Sequence, residues 1–297
     1  MSQWDGKSKG TVLGYKIFVF FIKKVGIKAA YLILYFVATY YFLFLKKSNT
    51  SIFYYFRKRL GYSYLKYKRM VFKSYYTFGQ TIIDKIAIGA GMKDKFTYEH
   101  DGGEIIIKLL KEKKGGVLIS AHIGNFEIAK HFFSEVDVNF QINLVATDLE
   151  HTAIKKYLES VTEKPTINFI LIGDDLSHIF EINSALERNE LVCFTGDRYL
   201  EGVKSLSEEL LGEEALFPAG PFLISSRLKV PVVFVYVMKE PNLHYHLYTR
   251  EAKVKHRDEK GLLKEYTQSV ESMVKKYPLQ WFNYFDFWNQ LENHKTK

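Results

Sequence analysis

The chain has little cysteine, and its composition excludes several classes of protein. A single cysteine, Cys193, in 297 residues excludes an internal disulfide framework and leaves the redox compartment open, although a cytosol-facing enzyme is consistent with it. Cys193 lies in the apolar run 191–194, so we expect a buried hydrophobic residue rather than a nucleophile. With 47% hydrophobic residues and no internal repeat or low-complexity linker, the chain is predicted to be folded.

Acidic residues are scarce in the first third of the chain. Residues 1–114 contain 22 Lys and Arg but 7 Asp and Glu, whereas residues 115–297 contain 20 and 26. The formal net charge is therefore +15 in the first part and −6 in the second. A basic and aromatic first third indicates an anionic partner, either a phospholipid surface or nucleic acid. We favour the membrane, since no nucleic-acid-binding motif accompanies the charge.

One apolar segment supports the membrane interpretation. In residues 29–45 every residue except Thr39 is apolar or aromatic, and lysines stand on both sides. A helix of this length covers roughly 25 Å of a hydrocarbon core about 30 Å thick, so spanning it requires snorkelling lysines or local thinning. The alternatives are a helix in the interface and a buried core helix. A cleaved signal peptide is less favoured, because no small-residue cleavage site follows.

The next segment, residues 51–80, mixes basic and aromatic residues at spacings that predict a basic amphipathic helix on anionic lipid. A solvated face over an ordinary core is almost as good an interpretation. Together these segments predict a membrane-anchoring helical region at residues 1–93, followed by a catalytic domain at residues 94–297 that ends in an aromatic helix.

Beyond residue 114, short apolar runs alternate with helical stretches, which predicts an α/β layered domain with a mixed sheet flanked by helices. The predicted strands are residues 116–120, 141–146, 167–172, 191–195, 232–238 and 244–248. The predicted helices are residues 126–133, 149–160, 175–188, 221–228 and 260–277.

The stretch 116–127, GVLISAHIGNFE, is a predicted strand that runs into a turn and a helix. Positions five apart on one helix point roughly 140° apart, so His122 and Glu127 can meet only if His122 lies in the turn, which Gly124 permits. Glu127 would then orient one imidazole nitrogen while the other takes a proton from a hydroxyl. Asn125 is predicted to contact an oxyanion or a substrate amide.

Residues 117–127 resemble the His-x4-Asp/Glu signature of the lysophospholipid acyltransferase-like superfamily. They are most similar to the His-x-Gly-Asn-x-Glu form of the lipid A biosynthesis acyltransferases of the lauroyl and myristoyl type. The resemblance continues in the family's order through Gly196-Asp197-Arg198, Leu211-Gly212 and the segments 217–222 and 230–235. It covers roughly residues 1–288.

The resemblance implies an O-acyltransferase that moves a fatty acyl group from acyl carrier protein or coenzyme A to a hydroxyl of a membrane lipid or glycolipid. It implies no cofactor and no metal, and it makes His122 the general base and Glu127 its orienting partner. Arg198, which stays charged at any working pH, is the predicted contact for a phosphate or an oxyanion. The predicted substrate-binding residues are Gly124, Asn125, Asp197, Arg198, Gly212, Pro218 and Gly220.

Two departures from related patterns leave the acceptor open. The segment 217–222, FPAGPF, lacks the charged residues of the Phe-Pro-Glu-Gly-Thr-Arg block of glycerol-3-phosphate-type enzymes. The segment 277–288 lacks the His and Arg that close many enterobacterial lipid A enzymes, and packing onto the domain is the favoured role of its aromatic residues.

Several alternatives remain open on the residues alone. Asp197 and Arg198 are as well explained by a structural ion pair. His244 and His246 share one face of a predicted strand, but no further ligand completes a metal site. The same base would serve a thioesterase, and a non-catalytic lipid-binding protein of the same fold is the other alternative. The expected location is the cytoplasmic face of the bacterial inner membrane.

Overall fold

In the computed structural model, residues 12–44, 51–129, 141–146, 167–173, 175–199 and 203–288 are described. A central sheet is formed by seven strands: β1 Thr97–Asp101, β2 Gly116–Ser120, β3 Ile142–Ala146, β4 Ile167–Leu171, β5 Leu191–Thr195, β8 Val232–Glu240 and β9 His244–Glu251. Their order is β1-β9-β8-β2-β5-β3-β4. Strands β8 and β9 are antiparallel, and the other neighbours are parallel.

Helices cover the sheet and precede it: α1 Val12–Lys24, α2 Ile27–Phe44, a π-helix Tyr54–Arg59, α3 Tyr64–Gly89, α4 Gly103–Glu112, α5 Ser177–Glu187, α6 Ala219–Arg227 and α7 Glu259–Lys276. The amphipathic pattern of α7 shows why such a segment becomes a covering helix. Its buried residues recur three or four positions apart, from Leu263 through Tyr266 to Val270. Asp258 caps this helix by accepting a hydrogen bond from the backbone N–H of Gly261 at 2.9 Å.

The α/β class with a mixed sheet flanked by helices is confirmed, and all six predicted strands are present. Three strands were not predicted: β1 and the hairpin β6 Ser205–Leu210 and β7 Glu213–Pro218. The predicted helices 175–188, 221–228 and 260–277 correspond to α5, α6 and α7. Of the segment 126–133, Phe126–Ile128 forms a 3-10 turn, and residues 130–133 and 149–160 lie outside the described residues.

Both faces of the sheet are covered by apolar clusters. Alternate residues of β2 point to opposite faces, so Val117 and Ile119 join one cluster while Leu118 joins the other. The cluster of Leu118 also contains Cys193, which is buried as predicted, and residues of α1 and α2. The N-terminal helices thus share a core with the sheet, and the division at residue 93 stays a prediction.

The apolar N-terminal segment forms α2, which is long and apolar enough to cross a membrane. One face of α2 is buried against α3, where a Cβ added to Gly79 would lie 2.2 Å from Leu34 Cδ1. Glycine therefore allows the two helices to approach closely. The opposite face exposes large apolar side chains: Leu32, Tyr35, Phe36, Tyr40, Leu43 and Phe44.

The basic segment 51–80 is partly core. Tyr55 and Phe56 of the π-helix are buried, and Arg59 forms a 2.8 Å ion pair with Glu213 of β7. The segment therefore packs onto the catalytic domain, and contact of its basic residues with anionic lipid stays a prediction.

Candidate active site

His122 lies in a sharp turn directly after β2. Gly124 has φ +62°, and a Cβ there would lie 2.1 Å from the carbonyl oxygen of Val237 in β8, so this position requires glycine. The same carbonyl accepts the backbone N–H of Asn125 at 2.7 Å, and the backbone N–H of Gly124 donates to Gln280 O at 2.9 Å. The turn is therefore held between β8 and Gln280, which lies in the C-terminal segment 280–283.

The sheet register brings His122 to Asp197. Strands β2 and β5 are parallel neighbours in which Ser120 lies opposite Thr195, and His122 and Asp197 each follow two residues later. His122 Nδ1 lies 2.7 Å from Asp197 Oδ1, and the backbone N–H of His122 lies 3.0 Å from both carboxylate oxygens. The carboxylate is fully buried, whereas 24% of the His122 side chain is exposed.

The surroundings of Asp197 keep its carboxylate ionised. Burial raises its pKa, but the His122 imidazole with its hydrogen bonds and the Arg198 guanidinium outweigh burial and lower the pKa to about 2. An ionised carboxylate only accepts hydrogen bonds, so His122 Nδ1 donates to it. In the neutral imidazole the lone pair is then on Nε2, which is the nitrogen able to take a proton.

Glu127 was predicted to orient His122, and this stays a prediction. Its backbone lies in the 3-10 turn Phe126–Ile128, in the first helical turn after His122 as expected, but its side chain lies outside the described part of the structure. The described acceptor at His122 Nδ1 is Asp197, which the sequence predicts only as a substrate contact. The sequence does contain a sign of the contact between His122 and Asp197, because each residue comes two positions after the end of an apolar strand. That sign predicts a contact only once β2 and β5 are known to be neighbours in the sheet.

The C-terminal segment 280–283 supplies further donors to Asp197. Trp281 Nε1 donates to Asp197 Oδ2 at 3.1 Å, and Asn283 Nδ2 donates to the same oxygen at 2.9 Å. The backbone N–H of Phe282 donates to His122 O at 2.8 Å. This contact was not predicted, because an aromatic-rich segment indicates burial but not which carboxylate it faces.

Arg198 is directed toward the same segment. Its Nε donates to Asn283 Oδ1 at 3.0 Å, and its Nη2 donates to Phe282 O at 3.1 Å. Burial lowers its pKa to about 10, and the Asp197 carboxylate opposes this effect, so the guanidinium is charged at neutral pH. These bonds give Arg198 a structural task, and its contact with a phosphate or an oxyanion stays a prediction.

The side chain of Asn125 is buried beneath the turn. Its Nδ2 donates to Thr81 O of α3 at 2.9 Å and lies 3.5 Å from the hydroxyl of Tyr245 in β9. The amide thereby ties the turn to α3, and a contact with substrate stays a prediction.

Next to Asn125 lies a buried ionic cluster. Asp84 of α3 accepts hydrogen bonds from Lys239 Nζ of β8 and from the Tyr245 hydroxyl, both at 2.6 Å. The Tyr31 hydroxyl of α2 also donates to Asp84. The cluster joins the apolar N-terminal helix to the strand that holds the His122 turn.

The other predicted substrate residues lie around the β6–β7 hairpin. Gly212 is in its two-residue turn with φ +78°, Pro218 ends β7, and Gly220 is in the first turn of α6, where an added Cβ meets nothing within 4 Å. Gly220 therefore leaves open space at the start of α6. Substrate contact by these three residues stays a prediction.

The two histidines considered as metal ligands contact one carboxylate. His246 Nδ1 lies 2.6 Å from Glu99 Oε1, and His244 Nε2 lies 3.8 Å from it. Within the described ranges, no group of three or more His, Cys, Asp or Glu side chains is arranged to hold a metal ion.

Comparison with known proteins identifies the family of this chain. A family model described as bacterial lipid A biosynthesis acyltransferase matches residues 7–289, a range that includes the N-terminal helices, the His122 turn and the segment 280–283. No curated protein matches the chain. The chain is an acyltransferase, with an acyl donor and a lipid acceptor as its substrates, and it belongs to the bacterial lipid A biosynthesis acyltransferase family.

Proposed function

We propose that this enzyme transfers a fatty acyl group from a thioester, carried by acyl carrier protein or coenzyme A, to a hydroxyl of a membrane glycolipid. His122 is the general base, and Asp197 orients it. The observation that supports this assignment is the buried, ionised carboxylate 2.7 Å from Nδ1 of a partly exposed histidine. A histidine held in this way keeps one tautomer, with Nε2 as its basic nitrogen.

The reaction needs no covalent enzyme intermediate. Nε2 of His122 takes the proton of the acceptor hydroxyl while its oxygen attacks the thioester carbonyl carbon, forming a tetrahedral intermediate. Collapse of the intermediate breaks the carbon–sulfur bond, and the imidazolium returns its proton to the departing thiolate. Asp197 stabilises the transient imidazolium, because its negative charge lies against Nδ1.

The enzyme works at a membrane surface in this proposal, with α2 lying in the interface of the anionic cytoplasmic leaflet of the inner membrane. Tyr31 and Leu34 of α2 contact α3 of the folded domain, so a spanning orientation would draw the domain into hydrocarbon. An interfacial orientation places only the exposed apolar face of α2 in lipid. Lys23, Lys24 and Lys28, all exposed, then face anionic headgroups.

Transfer by the purified full chain tests the proposed function. Acyl carrier protein thioesters and coenzyme A thioesters are offered with glycolipid acceptors, and acylated lipid is measured by mass spectrometry. We expect His122→Ala to lose transfer by about 10³-fold or more, whereas His246→Ala retains it. His246 is the matched control because it is also a partly exposed histidine beside a carboxylate.

Two outcomes would overturn the proposal. Steady release of free fatty acid at the same rate with and without acceptor would identify a thioesterase. A His122→Ala variant that restores the lipids of cells lacking this chain as well as the wild type does would identify a lipid-binding protein.

A further inference from the structure

We propose that Trp281 and Asn283 are positioning residues that hold the Asp197 carboxylate in one rotation, with one oxygen bonded to them and the other facing His122. The inference rests on the proposed function, since it assigns residues that act on the general base through its carboxylate partner. Both residues lie in the segment 280–283, which is distant in sequence from His122 and from Asp197.

The two oxygens of Asp197 have different partners. Oδ1 accepts from His122 Nδ1 at 2.7 Å, whereas Oδ2 accepts from Trp281 Nε1 at 3.1 Å and from Asn283 Nδ2 at 2.9 Å. The backbone N–H of His122 lies at 3.0 Å from both oxygens and does not distinguish them. The indole and the amide therefore fix the rotation of the carboxylate about its Cβ–Cγ bond.

The segment that carries these donors is itself fixed to the His122 turn. Phe282 N donates to His122 O at 2.8 Å, and Gly124 N donates to Gln280 O at 2.9 Å, so the two stretches run side by side in opposite directions. Arg198 holds the segment from the other side through Asn283 Oδ1 and Phe282 O. The imidazole, the carboxylate and the donors to Oδ2 therefore form one hydrogen-bonded unit.

The donors to Oδ2 also set how much negative charge Asp197 presents to the imidazole. A hydrogen bond to a carboxylate stabilises its charged form and withdraws charge from the other oxygen. Removing one N–H leaves Oδ1 a stronger acceptor and favours the imidazolium. A positioning role therefore predicts a change in pH dependence, which loss of packing alone does not.

The other described groups that interact with Asp197 do not titrate across the working range. Arg198 is charged at neutral pH, with a pKa of about 10. Burial raises the pKa of the Tyr236 and Tyr266 hydroxyls, so both stay neutral. The charged side chain nearest in sequence to His122 is that of Glu127, which is outside the described part, and every variant of this test retains it.

Trp281→Phe is the test, because phenylalanine keeps an aromatic ring and removes the indole N–H. Initial transfer rates of the full chain are measured from pH 5 to pH 9. We expect kcat/KM at the plateau of the pH profile to fall roughly 3- to 30-fold. The acid limb of the profile, where activity falls as the pH is lowered, is expected to move upward by about half a pH unit. KM for the acyl donor is expected to change less than kcat, since Trp281 acts through Asp197.

Trp288→Phe is the matched control. Trp288 packs against Trp281 with ring centroids 5.5 Å apart, but its indole N–H donates to Leu210 O. We expect its acid limb to coincide with that of the wild type. Asn283→Ala provides a second variant if Trp281→Phe does not fold, and it too should move the acid limb upward.

Coincident acid limbs in folded Trp281→Phe, Asn283→Ala and wild-type enzyme would overturn this inference while leaving the proposed function intact, provided His122→Ala is inactive. An active His122→Ala variant would instead overturn the proposed function. The two failures are therefore distinguishable.

Discussion

At the scale of single residues, the carboxylate of Asp197 is the group on which the state of His122 depends. Among the described residues, four N–H groups bond to it and use both of its oxygens, and the carboxylate itself is fully buried. A buried carboxylate that is fully hydrogen-bonded holds an imidazole in one tautomer and one orientation.

We expect Asp197→Asn to reduce kcat/KM for acyl transfer by roughly 10²- to 10⁴-fold, because an amide can present N–H to Nδ1 and favour the wrong tautomer. Initial transfer rates of the purified enzyme measure this. Asp101→Asn, which removes a carboxylate from a half-exposed ion pair with Arg250, is the control and should stay near wild type. Glu127→Gln, assayed alongside, tests the predicted role of Glu127. A less than threefold loss in Asp197→Asn would contradict the assigned role.

Asp197 should also affect the pH dependence of stability. Its folded pKa of about 2 is below the value of roughly 3.9 expected in the unfolded chain, so its stabilising contribution is present above about pH 4. This contribution is lost as the pH falls through about 2. We therefore expect the difference in free energy of unfolding between wild type and Asp197→Asn to shrink from pH 5 to pH 2, measured by urea denaturation. A difference that stays constant over this range would contradict the pKa.

At this scale the sequence predicted that His122 lies in a turn after a strand, but not that Asp197 is its hydrogen-bond partner. His122 stands out because a histidine, a glycine and an asparagine follow an apolar strand within five residues. Asp197 follows another strand 75 residues later, and only the pairing of β2 with β5 makes the two neighbours. Trp281 and Asn283 reach the site through packing of an irregular segment, which has no periodicity to read.

At the scale of elements, the His122 turn depends on contact between backbones. Its glycine combines a left-handed conformation with a close approach to β8. The left-handed conformation and the close approach both concern Gly124 itself, so one substitution at Gly124 tests them together.

We expect Gly124→Ala to abolish most transfer activity and to destabilise the fold by more than about 2 kcal/mol, because the added Cβ meets a carbonyl oxygen as well as an unfavourable φ. Gly61→Ala is the matched control. Gly61 has a similar φ of +66° but nothing within 4 Å, so it should show only the conformational cost of about 1 kcal/mol. Thermal unfolding and transfer rates distinguish the two, and equal effects would show that the contact with Val237 is unimportant.

The Asp84–Lys239 pair joins α3 to β8 inside the protein, with 0% and 7% of the side chains exposed. We expect Lys239→Met to cost about 3–5 kcal/mol in the free energy of unfolding, because it leaves a buried carboxylate without its cation. Lys275→Met, which breaks an exposed pair with Glu271, should cost less than about 1 kcal/mol. Urea denaturation measures both, and equal costs would show that water reaches Asp84.

The strands that were predicted and those that were missed differ in their surroundings. Strands β2, β3 and β5 are buried on both faces and form apolar runs, interrupted in β3 by Asn143, and such runs are recognisable in a sequence. Strand β1, TYEHD, is mostly exposed, and β6 and β7 carry glutamates on a hairpin. Their strand character comes from pairing partners rather than from their own composition.

At the scale of the whole molecule, the apolar side of α2 is the surface that the proposal assigns to lipid. We expect Phe36→Ser to weaken binding to vesicles of anionic phospholipid by roughly tenfold or more, because serine lacks the large apolar ring that moves from water into lipid on binding. Phe36 is 70% exposed, and Phe180 on α5 is 74% exposed. Phe180→Ser is therefore the control, and it should bind as the wild type does in a co-sedimentation assay. Equal weakening in both variants would contradict an interfacial α2.

The segment 280–283 has a consequence for synthesis. Translation delivers His122 and Asp197 well before Trp281 and Asn283, so a nascent chain that already holds His122 and Asp197 still lacks two hydrogen-bond donors to the Asp197 carboxylate. The helices of residues 12–44 emerge first and can reach lipid during this interval, since chains begin to fold from their N-terminal parts. In the proposed arrangement, the order of synthesis therefore brings out the helices that contact lipid before the residues that complete the site.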